Sequence, residues 1–154
     1  MFVLGFAIVL ICSCLTITVL GGNVTDFIQL PSLLILIIPL VAVLTATKSF
    51  KVFYGGLKAV VLPKEPITEE LRGQAASLFR SLSKATAMIS GIGVLISLMN
   101  MLMGLDFSEP NAINMMGSNI AAALVVMLYG LLLIVAVFEP VVFNLKKRQA
   151  KKGG

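Results

Sequence analysis

Residues 68–105 read TEELRGQAASLFRSLSKATAMISGIGVLISLMNMLMGL, and the stretch changes character halfway. Up to Lys84 it carries Glu69, Glu70, Arg72, Arg80 and Lys84; from Ala85 to Leu105 it carries no charge. Thr68 can cap a helix, with Glu69 and Glu70 in the first turn, where acidic groups suit the helix dipole. Leu71, Ala75, Leu78, Phe79, Leu82 and Ala85 recur every three or four residues, which makes one apolar stripe. No breaker separates this amphipathic part from the apolar run. Residues 68–104 therefore predict one helix of about 55 Å at 1.5 Å per residue. Its second half, from about 86 to 105, is long enough for a hydrocarbon core of about 30 Å, and its first half projects beyond it.

Three more apolar runs flank this one, at about 2–20, 31–47 and 118–145. The second is short for a span, but it gains length by starting at Pro31, a good first helical residue. The first has no basic flank before it and no small-residue cleavage pattern after it, so it reads as a retained span rather than a signal peptide. The composition agrees: of 154 residues 58% are apolar and 12% charged, against roughly 25% charged in a soluble domain, and the mean hydropathy is +1.04. That excludes a water-soluble globule, a disordered tail and a nucleic-acid binder. The fold class is all-α integral membrane, four transmembrane helices in a single domain over 1–154.

Charge sets the orientation. Seven of the chain's 12 basic residues, Lys48, Lys51, Lys58, Lys64, Arg72, Arg80 and Lys84, lie between the second and third spans; the other five, Lys146, Lys147, Arg148, Lys151 and Lys152, follow the fourth. The loops 21–32 and 106–117 hold only Asp26, Asp106 and Glu109. The positive-inside rule then puts both termini and the segment 48–85 in the cytoplasm. The basic tail reads as an anchor to anionic headgroups of the lipid bilayer.

Chemistry inside the spans is sparse. There is no histidine, and Cys12 and Cys14 alone make no metal site, so no metal, cofactor or catalytic constellation is expected. Both cysteines read as small apolar residues. Ser81-x-x-Lys84 has the spacing of a serine–lysine nucleophile but sits on a basic helix and reads as coincidence. Asn23-Val24-Thr25 is a glycosylation triplet, meaningful only in a eukaryotic secretory pathway. Glu139 falls about 31 Å along the fourth span from Ser118, which is the inner headgroup level. It reads as a solvated interface carboxylate first and a functional group second. Pro140 beside it predicts a local bend. On the third span Ser90, Gly93, Ser97, Asn100 and Gly104 share a small, polar face, suited to close helix packing or to a wet cavity. Gly117, Ser118, Ala121–Ala123 and Gly130 make a packing surface on the fourth.

Several of these segments together resemble a known family. Gly21-Gly22, then Phe27-Ile28 and Leu30-Pro31-Ser32-Leu33-Leu34-Ile35, is similar to the lead into the second span of MotA-type flagellar motor subunits. Gly93 to Leu102, ending Leu98-Met99-Asn100-Met101-Leu102, resembles the third span. Gly117 to Gly130, then Pro140 and Leu145-Lys146, resembles the fourth. The chain looks like a short member of the MotA/TolQ/ExbB proton-channel family. The resemblance implies a homo-oligomer of five copies around single-span partners of the MotB/ExbD/TolR type, whose aspartate carries the ion, in a bacterial inner membrane. The third and fourth spans would line the inner wall, with Ser90, Val94, Ser97, Asn100 and Met127 as pore-lining candidates. Val94 and Met127 stand where the family has pore threonines, and Ala87 where it often has proline. The segment 48–85 is too short for the large domain that grips a flagellar rotor.

Other classes fit less well. A small glutathione-dependent membrane enzyme would want Arg or Tyr near the cytoplasmic face and a Glu-x-x-x-Arg pairing inside a span. A small drug antiporter needs a glutamate in its first span, and residues 2–20 have none. A non-conducting structural oligomer stays open because both pore threonines are replaced.

Overall fold

The computed structural model describes residues 2–19, 28–62, 68–104 and 111–150. Leu20, Gly21-Gly22, the glycosylation triplet, Asp26, Phe27, Pro63, Lys64, Pro66, Leu105, Asp106, Glu109, Lys151 and Lys152 lie outside the described residues. Among those described there are six α-helices: α1 (Phe2–Val19), α2 (Leu30–Ala46), α3 (Phe50–Val61), α4 (Glu69–Met103), α5 (Ala112–Leu133) and α6 (Glu139–Ala150). A π-helical turn, Ile134–Phe138, joins α5 to α6.

α4 is the single 35-residue helix that the unbroken stretch 68–104 predicts. Thr68 occupies its N-cap in an extended conformation, but its side chain makes no capping hydrogen bond. Glu69 instead pairs with the buried Arg72 one turn on, at 3.0 Å. Pro31 sits in the first turn of α2, which needs no N–H there. α4 and the run Ala112–Lys147 are long and apolar enough to cross a membrane. α2 reaches that length only together with α3, to which it is bent by 112°, and the apolar helix Gly5–Val19 is shorter.

The two long helices lie antiparallel, since residue numbers rise along one as they fall along the other. Gly93 of α4 meets Val126, Ser90 meets Gly130, and further along Phe79 meets Phe138, ring centroids 5.9 Å apart. α2 packs on both long helices, while α3 lies against α4 and α6. α1 stands at the edge, touching the π turn and α3. Between α1, α2, α5 and the π turn lies an open apolar pocket of about 280 Å³, walled by Phe6, Leu10, Leu36, Tyr129 and Ala136 among others.

A buried apolar cluster lies at the lysine-bearing end. Ala59, Val60, Ala75, Phe79, Leu82, Phe138, Val141, Val142 and Leu145 pack there with Leu44. The stripe on the first half of α4 is therefore covered by α3 and α6 of the same chain. Phe53 of α3 stacks on Phe79 at 5.1 Å. α3 itself is an addition to the sequence reading, which names a helix in the segment 48–85 only from Thr68 on. Pro140 does not break the helix. It lacks the N–H that would bond four residues back, and the chain widens just before it: the Glu139 N–H bonds to the Ile134 carbonyl, five residues back.

Candidate functional site

The face of α4 that carries small and polar residues is turned towards α5 and α2 at Thr86, Ser90 and Gly93. Ser90 is 3% exposed, and its hydroxyl donates to the Thr86 carbonyl at 2.8 Å. A Cβ on Gly130 would overlap the Ser90 hydroxyl, so only glycine allows this approach. A Cβ on Gly93 would stand 2.8 Å from Val126 Cγ1 and 3.0 Å from Ile35 Cγ2. Thr86 Oγ1 is fully buried with no hydrogen-bond partner among the described residues. Thr86 shares the face of Ser90 at a spacing of four; that spacing was the signal that could have added it to the sequence reading.

The expected pore-lining residues do not share one surface in the single chain. Ser90 is in the seam between helices. Val94 and Ser97 are half-buried, and the Ser97 hydroxyl donates to the Gly93 carbonyl at 2.9 Å. Asn100 is exposed, and so is Met127 at 45%. Ser97 and Asn100 lead away from the seam to the free surface of α4, which is otherwise apolar: Met88, Ile92, Leu95, Ile96, Met99 and Leu102 are all exposed.

Charge is absent from this region. From Ala85 to Gly104 and from Asn111 to Phe138 there is no acidic or basic residue. Glu139 is exposed at the start of α6, with the half-buried Pro140 beside it. No group of His, Cys, Asp and Glu among the described residues could hold a metal ion, and Cys12 and Cys14 are both exposed on α1. Lys48, Lys51, Lys84, Lys146 and Lys147 are exposed on elements that pack around one end of the bundle.

Residues 64–153 match the model of the MotA/TolQ/ExbB proton channel family. The chain belongs to that family. The matched residues are the antiparallel pair itself, α4 with α5, the π turn and α6, so the family's structural unit here is the long two-helix scaffold. α1 to α3, and with them the Gly21–Ile35 resemblance, precede the match. No curated protein and no solved structure matches the chain. As a MotA/TolQ/ExbB protein it is a membrane subunit of the proton-channel type, from a family of channel scaffolds rather than enzymes, whose members work with single-span partners in oligomeric complexes.

Proposed function

We propose that the chain is the channel-scaffold subunit of an ion-driven motor, a stator-type ring of about five copies around single-span partner helices that carry the ion-binding carboxylate (the copy number comes from the family resemblance). α1, α2, the apolar half of α4 and α5 would be the four spans, with both termini and the lysine-bearing end in the cytoplasm of a bacterium. One observation carries the reading. The family match lies on two long antiparallel helices whose membrane-level stretches, 85–104 and 111–138, hold no acidic or basic residue. A proton or cation crossing that region needs a carboxylate from elsewhere, and a partner helix in the ring would supply it.

Val94, Ser97, Asn100 and Met127 then line the path, with Ser90 behind them supporting the α4–α5 contact. Val94 and Met127 offer a crossing ion no hydroxyl, and an apolar constriction closes by dewetting. The ring alone is therefore shut, and the partner's carboxylate opens it beside Ser97 and Asn100. The same two apolar residues favour the second reading, a structural oligomer that does not conduct.

Ion flux into proteoliposomes tests both. Flux that needs the partner and falls on Ser97→Val supports the channel. Flux from this chain alone overturns the gated ring, and no flux from a correctly assembled complex favours the structural oligomer. Threonine at 94 and 127 should raise the partner-dependent flux.

A further inference from the structure

The outer face of α3 has the chemistry of a membrane surface. α2 carries no charge and ends at Ala46; α3 leaves it at 112°, that is 22° past perpendicular. With α2 along the membrane normal, α3 lies nearly in the plane of the bilayer. Its inner face is taken: Gly56, Ala59 and Val60 are buried, and Gly56 lies against Ala75 and Phe79 of α4. Its outer face is not: Phe50, Tyr54 and Val61, which fall on one stripe at helical spacing, are 47%, 67% and 42% exposed. Lys51 is exposed beside them. A re-entrant placement of α3 would bring Lys51 and Lys58 into hydrocarbon, which is costly.

The corner before α3 points the same way. It is a Schellman turn, with the Ser49 N–H bonded to the Leu44 carbonyl and the Lys48 N–H to the Thr45 carbonyl, both at 3.1 Å. Its left-handed position is held by Lys48 at φ 51°, where glycine is the unstrained choice. The corner thus sets a cation at the junction of α3 with the uncharged α2. Residues 28–64 contain Lys48, Lys51, Lys58 and Lys64 and no acidic residue.

We infer that α3 is an in-plane helix that binds anionic phospholipid, with Phe50, Tyr54 and Val61 at the acyl boundary and Lys48 and Lys51 on headgroup phosphates. Aromatic and apolar residues on one side with lysines at the edge are the pattern of interfacial helices. The inference needs only that the chain lies in a membrane; it stands or falls independently of conduction.

The chain has no tryptophan, so Tyr54→Trp gives a single reporter in the full-length protein. It is reconstituted into vesicles of phosphatidylglycerol and phosphatidylcholine, with one of the two lipids brominated on its acyl chains. Brominated phosphatidylglycerol should quench more than brominated phosphatidylcholine at equal mole fraction, and added salt should reduce the difference. Lys48→Gln with Lys51→Gln should lower the preference, by about fivefold in anionic-lipid enrichment per lysine, yet keep quenching by both lipids, whereas Lys146→Gln with Lys147→Gln should leave it nearly unchanged. An unchanged preference in the Lys48/Lys51 variant overturns the inference. Phe50→Trp, on the same stripe, is the second reporter should Tyr54→Trp disturb folding. Equal quenching by the two lipids in the lysine-bearing protein overturns the inference. So does the absence of quenching by either, which would put the stripe in water or under a protein partner.

Discussion

Gly130 has no room for a methyl group, because Ser90 of the facing helix stands where a Cβ would go. Gly130→Ala must push α4 and α5 apart or force Ser90 out of its bond to Thr86. Overpacking of this kind costs about 1–3 kcal/mol, so the melting temperature in detergent should fall. Gly73 makes the opposite case on α4: it is exposed and a Cβ there meets nothing within 4 Å. Gly73→Ala should stabilise by about 0.5–1 kcal/mol, the helix-interior preference for alanine. Equal shifts for the two variants would mean that the seam is not as close as described. The small residues on both helices were legible in the sequence as packing surface. Ser90 was not separable from the ion path, because helical spacing says which residues share a face and not whether that face meets its own chain, a second copy or water.

The elements differ in how far the sequence reveals them. α4 is plain, since nothing between Thr68 and Gly104 interrupts helical periodicity. α3 is not, because twelve residues that include Gly55-Gly56 do not say which element covers them, whereas the close approach of Ala75 and Phe79 to Gly56 does. The π turn is beyond reach for a similar reason. Pro140 signals a missing hydrogen bond, and the chain can meet that loss by bending or by widening. Phe79 ties these elements together, fully buried between Phe53 of α3 and Phe138 of the π turn. Phe79→Ala should cost about 3–5 kcal/mol and free α3, seen as faster hydrogen exchange over 50–61 than over 112–133. Uniform exchange across both helices would show that α3 is not held by that contact.

At the scale of the whole molecule, the chain buries its own seam and leaves most of its apolar surface open, and lipid and a second copy compete for that surface. Lipid tails are as apolar as leucine, so helices associate in a membrane where small residues let backbones come close. Two such places stay exposed in the single chain. Ala87 and Gly91 lie four apart on α4, and Gly117 and Ala121 four apart on α5. A Cβ at Gly91 or Gly117 meets nothing within 4 Å, so neither glycine is needed for the chain's own fold. Their use is then between copies in the proposed ring. Gly91→Leu and Gly117→Leu should leave helix content and the α4–α5 seam intact while lowering the assembled mass, measured in detergent by native mass spectrometry. The unaltered protein should run as one assembly of about five copies. A monomer or dimer there would refute the ring, and full assembly in both leucine variants would move the contact between copies to another face of these two helices.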